Sequence, residues 1–100
     1  MKYNKLVRDK IPEVIISRGG IPITHIADDK EYWEKLREKL QEEVGEFLES
    51  ETVEEIADVQ EVIEAIMNYK KFDQVELAKV KEKKVEERGA FVKRIILEES

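Results

Sequence analysis

The chain has no cysteine, which excludes disulfide scaffolds, zinc–thiolate sites and thiol nucleophiles. Its one histidine, His25, excludes any site that takes two histidines from a single chain. No apolar run approaches the roughly 20 residues of a membrane-spanning helix. The opening MKYNKLVRDK is too charged for a secretory leader, so a cytoplasmic protein with no membrane partner is expected. A basic surface is lacking as well. Eighteen Lys and Arg against 24 Asp and Glu leave a net charge of −6. That argues against a general nucleic-acid binder, which neutralises phosphates with a positive face.

What is present is a chain of 100 residues, 41% apolar and 42% charged, enough to fold as one domain over 1–100. The charge is unevenly placed. Residues 31–64 carry 13 acidic and three basic side chains, whereas the flanking stretches are each slightly basic. A run so acidic repels itself unless something compensates it. Either it is a solvated helical face, or some of its carboxylates hold divalent cations.

Hydrophobic spacing predicts a mainly α-helical fold. A first helix starts after Asp9, a good N-cap residue, tolerates Pro12 in its first turn and stops at Gly19-Gly20. Ile21, Ile23 and Ile26 form a β-leaning stretch. A second helix runs from about Asp29 to Glu49, with Trp33, Leu36, Leu40, Val44, Phe47 and Leu48 spaced by three and four. After a turn at Ser50-Glu51, Thr52 caps a third helix and Glu55 completes a capping box. A fourth helix spans about Asp73 to Arg88 and ends at Gly89. The tail, AFVKRIILEE, leans to strand and could pair with the stretch around Ile23 as a small two-stranded β patch. The two long helices form an antiparallel hairpin with an apolar stripe on each. Pairing two hairpins about a two-fold axis makes a four-helix bundle, so a homodimer or a tetramer is expected.

Two acidic pairs flank the hairpin turn. Residues three apart share a helix face, so Glu43 projects with Glu46 and Glu55 with Asp58. Glu43 lies roughly 60° from the centre of its apolar stripe, on the margin that meets the facing helix. Four carboxylates converging there are either partly protonated or held by a cation. Oxygen-only ligands select hard cations, Mg²⁺ or Mn²⁺. Gly45 costs about 1 kcal/mol relative to Ala inside a helix, and close approach of a backbone or ligand would explain it.

The order Glu42-Glu43-x-x-Glu46 followed by Glu55-x-x-Asp58 on the next helix resembles the MazG-like, all-α nucleoside triphosphate pyrophosphatase superfamily. The opening YNKLVRDKIPEVI and the ending EERGAFVKRIIL resemble its phosphoribosyl-ATP pyrophosphohydrolase-like subgroup. The resemblance implies Mg²⁺-dependent cleavage between the α- and β-phosphates of a nucleoside triphosphate. It implies Glu43, Glu46, Glu55 and Asp58 as metal ligands, with Glu42 as an additional one, and Lys84 and Arg88 as a basic pair on the phosphates. Phosphoribosyl-ATP pyrophosphatases typically carry a Tyr-His pair shortly after the E-x-x-D aspartate. Here that run is Asp58-Val59-Gln60-Glu61-Val62, which favours a housekeeping role. The spacing between Glu46 and Glu55 is also short for the superfamily.

On this reading Glu43 or Glu46 accepts the proton of the attacking water. Lys5, Arg8 and Lys10 form a second cationic set within reach of phosphates. Two other readings stand beside it. One is phosphoribosyl-ATP hydrolysis in histidine biosynthesis. The other is a non-enzymatic acidic helical module that binds a basic partner or senses nucleotide. Trp33 and His25 read as structural.

Overall fold

The computed structural model describes residues 4–100. It contains four helices: α1 (Ile11–Ser17), α2 (Asp29–Ser50), α3 (Val53–Lys70) and α4 (Gln74–Arg88). Helix α1 begins one residue later than expected. Lys10, not Asp9, is the N-cap, and no side chain caps it; the entry is a turn in which the Ile11 amide donates to the Arg8 carbonyl at 3.0 Å. It ends as the glycine pair requires. The Gly20 amide donates to the Ile15 carbonyl and the Gly19 amide to that of Ile16, with Gly19 at φ +85°. These two bonds satisfy carbonyls that the helix end leaves open. A Cβ on Gly20 would lie 2.7 Å from Ile15 Cγ2, so this second position also needs glycine.

The three longer helices each start on a side-chain cap. Asp28 accepts from the Glu31 amide at 2.9 Å, Thr52 from Glu55 at 3.4 Å and Asp73 from Val75 at 3.1 Å. Helices α2 and α3 end on left-handed residues that are not glycine, Glu51 (φ 55°) and Lys71 (φ 59°). Glu51 and Thr52 make the hairpin connection, since Ser50 is still helical.

Helices α2 and α3 pack along their length around Leu36, which is fully buried, with Val62 and Met67 beside it. Aromatic rings close the end of the hairpin away from the turn. Trp33 stacks parallel to Tyr69 at 5.8 Å between centroids, and Tyr32 meets Tyr69 edge-on at 5.4 Å. The Tyr69 hydroxyl donates to the Asp29 carbonyl, and Lys70 Nζ lies 4.0 Å from the centre of the Trp33 ring. These contacts give Trp33 a structural role.

No strand forms among the described residues, and the expected β patch is absent. Ile23 and Phe91 are 97% and 99% exposed, so neither segment has a layer behind it. An isolated pair of strands is marginal without one. Helix α4 has no buried residue. The chain is accordingly extended, 56 × 31 × 23 Å, with a radius of gyration of 18.0 Å. A compact chain of this length has about 13 Å. It exposes 9583 Å², against roughly 5,900 Å² for a compact monomer of its mass.

Candidate metal centre

The turn between α2 and α3 gathers the acidic side chains. Carboxylate oxygens of Glu42, Glu43 and Glu46 lie within 4.8 Å of one another, and so do those of Glu43, Glu55 and Asp58. Glu43 belongs to both sets and joins them. The helical spacing thus brings all five acidic residues named from the sequence into two triads joined at Glu43, without setting Glu42 or Glu46 in one group with Glu55 and Asp58.

Burial grades the cluster. Glu43 is only 7% exposed, Glu42, Glu55 and Asp58 are half-buried, and Glu46 faces solvent. One oxygen of Glu43 (Oε2) and one of Glu55 (Oε2) are buried with no hydrogen-bond partner. A buried carboxylate oxygen without a donor is costly and marks a place where something else belongs.

Among the described residues, three cations reach the cluster. Lys39 Nζ lies 3.3 Å from Glu43 Oε1 and 3.4 Å from Glu42 Oε2. Lys5 Nζ lies 3.1 Å from Glu42 Oε1, and Arg8 Nη2 lies 2.7 Å from Asp58 Oδ1. Lys39 is absent from the residues singled out in the sequence, although its spacing of three to Glu42 and four to Glu43 carries the signal. Lys5 and Arg8, expected on phosphates, sit on two of the carboxylates instead.

The pKa shifts follow from these contacts. Burial pushes the Glu43 carboxyl above the ordinary carboxylate value, and the nearby Glu46 adds to it against the pull of Lys39. Burial acts in the same direction on Glu42, but Lys5 and Lys39 outweigh it and hold that carboxyl below the ordinary value. In return the hydrogen bond to Glu42 raises Lys5.

A cleft of about 460 Å³ opens between residues 6–10 and the hairpin, with Arg8, Tyr32, Lys39, Glu43, Asp58 and Val62 on its walls. Lys10 also lines it, whereas no residue of α4 does. Lys84 and Arg88 are therefore not brought to the carboxylates within this chain; both are exposed on α4. Gly45 meets no close neighbour either: a Cβ built there finds nothing within 4 Å. His25 lies outside the cluster, its Nε2 2.9 and 3.0 Å from the two Glu31 oxygens.

The donor set suits a hard divalent cation. It is all oxygen and anionic, it comes from two adjoining helices, and two of its buried oxygens lack partners. No family model and no solved structure matches the chain. An uncharacterized protein of Mycolicibacterium smegmatis is 46% identical over 48 residues, 48% of this chain and 49% of that protein. The chain therefore spans about half the length of this relative.

Proposed function

We propose that the chain is a Mg²⁺-dependent nucleoside triphosphate pyrophosphohydrolase of the MazG-like kind, a housekeeping enzyme of the cytoplasm that releases a monophosphate and pyrophosphate. One observation carries this reading. Two buried, unpartnered carboxylate oxygens, Glu43 Oε2 and Glu55 Oε2, belong to facing helices in a cluster of five acids. A solvated acidic face has no reason to bury carboxylates at the seam of both helices.

Glu43, Glu46, Glu55 and Asp58 would hold divalent cations in two sets that share Glu43, with Glu42 in the set of Glu46. When bound, Mg²⁺ supplies charge neutralisation at the phosphate oxygens and acidifies a bound water. Glu46, the carboxylate of the cluster open to solvent, would take the proton of the attacking water. The water oxygen bonds to the α-phosphorus, and the α–β bridging oxygen leaves with pyrophosphate. Lys39 stays on Glu43 and Glu42 and limits their mutual repulsion. The working form is a homo-oligomer in which two hairpins pair as a four-helix bundle. The thin core and the exposed Val44, Leu48, Ile56 and Ile63 support that. In such an assembly α4 of one protomer can bring Lys84 and Arg88 to the site of another.

The test is pyrophosphate release from a panel of ordinary and modified nucleoside triphosphates and phosphoribosyl-ATP with Mg²⁺. Wild type is expected to act on at least one triphosphate. Glu43→Gln and Asp58→Asn each lower the rate by roughly 100-fold or more. Activity confined to phosphoribosyl-ATP would move the enzyme to histidine biosynthesis. No release from any substrate would overturn the enzymatic reading and leave the acidic helices to a partner-binding role.

A further inference from the structure

Arg8 and the divalent cation of the proposed site have claims on the same carboxylate. Arg8 Nη2 lies 2.7 Å from Asp58 Oδ1, and an Asp58 oxygen lies within 4.8 Å of ligand atoms of both Glu43 and Glu55. The pair spans 50 residues of sequence, so it exists only because residues 4–10 run along the face of the hairpin. We propose that Arg8 is an exchangeable counter-ion: a divalent cation entering the cluster takes Asp58, and the released guanidinium turns to the polyphosphate of the nucleotide. This rests on the metal-dependent reading above and adds to it an order of binding, metal before substrate.

Three features support the exchange. The Arg8–Asp58 pair is open to water, with side chains 56% and 38% exposed. Exposed ion pairs are individually weak, so a divalent ion displaces this one at little cost. Lys39 provides the contrast: its side chain is only 18% exposed and it sits on the same helix as Glu43, so it is held more firmly than Arg8. The tether of Arg8 is also separate from its ion pair. The Arg8 carbonyl accepts from the Ile11 amide, and Leu6 is half-buried, so the segment keeps its place while the guanidinium moves. Finally, Arg8 lines the cleft that runs beside the cluster. A planar, two-pronged donor at that place suits two phosphate oxygens better than the single contact it makes with Asp58.

The proposal fixes two effects of opposite sign. Removing Arg8 removes a competitor for Asp58, so metal binds more tightly; it also removes a phosphate ligand, so nucleotide binds more weakly. A residue that merely holds the fold would weaken both. The experiment uses the full chain and calorimetric titration, first with Mn²⁺ alone and then with α,β-methylene-ATP at saturating Mg²⁺. Arg8→Gln is expected to bind Mn²⁺ about threefold tighter than wild type. It is expected to bind the nucleotide analogue about tenfold weaker or worse. Arg8→Lys recovers part of the nucleotide affinity and guards against a folding defect in the first variant. Mn²⁺ affinity that is unchanged or lower in Arg8→Gln, or analogue affinity that is unchanged, overturns the exchange. If wild type releases pyrophosphate and binds Mn²⁺ while Arg8→Gln behaves like it, the exchange alone fails. If wild type binds no Mn²⁺ at all, the metal-dependent reading fails with it.

Discussion

Glu43 concentrates the electrostatics of the site in one residue. It is buried, it is acidic, and one of its oxygens has no donor. Its folded-state pKa is raised, chiefly by burial, so folding favours its protonated form relative to the unfolded chain. The stability it contributes is therefore full below the ordinary carboxylate value and is lost as pH rises through the elevated one. Metal-free protein is expected to lose this contribution as pH rises from the ordinary carboxylate value towards neutrality, which thermal melts over that range will read. Glu43→Gln, a neutral isostere, should flatten that dependence and raise the metal-free melting temperature at pH 7. Glu42 acts in the opposite sense at lower pH. Its depressed pKa makes its ion pairs stabilising above the ordinary value, and that stability is lost as pH falls through the folded value. A second outcome follows for divalent ions. Mg²⁺ at 100 times its dissociation constant stabilises wild type by about 2.7 kcal/mol and Glu43→Gln by much less, which thermal melts with and without chelator will read. Helical spacing alone was enough to pair Glu43 with Glu46 and Glu55 with Asp58, because i,i+3 neighbours share a face. The Arg8–Asp58 contact was not legible, because the path of an extended segment across a hairpin leaves no periodic signal.

At the scale of elements, the helix ends decide most of what local sequence can. Asp28, Thr52 and Asp73 all cap with the side chains expected of their residue types. Thr52→Ala should cost about 0.5–1 kcal/mol, the low end for such caps because the bond is long at 3.4 Å. The connection beside it is less well suited to its sequence. Glu51 holds a left-handed backbone at φ 55° without being glycine. Glu51→Gly relieves that strain and, after the larger entropy of the unfolded glycine chain, should stabilise by about 0.5–1 kcal/mol. Urea denaturation of the two single variants measures both, and opposite signs are expected. Strand-like composition failed as a guide for the stretch around Ile23 and for the tail. β-Branched residues fit a half-buried pleated surface, and in this chain no surface covers them. Their propensity describes an environment that one chain does not supply.

For the whole molecule, the same absence becomes an argument about assembly. A fully buried Leu36, with Val62 and Met67, is too little core to hold 100 residues. Single domains resist unfolding by only 5–15 kcal/mol and draw on a far larger buried apolar area to do so. The surface of 9583 Å² exceeds that of a compact monomer by roughly 3,700 Å², an area of the size that obligate interfaces bury, about 2,000–5,000 Å². The apolar side chains that would meet in a bundle, Val44, Ile56 and Ile63, lie on the same two helices that carry the carboxylates. Association would therefore brace the acidic cluster as well as the fold. Sedimentation equilibrium is expected to give at least twice the mass of one chain at micromolar concentration, and the wild-type melting temperature should rise with protein concentration. Ile63→Glu places a charge on the expected seam. It should shift the species towards a monomer, lower the melting temperature and lower metal affinity with it. A wild type that sediments as a monomer and still unfolds cooperatively, with a melting temperature independent of concentration, would contradict the assembly and require the tail and α4 to fold back on their own hairpin.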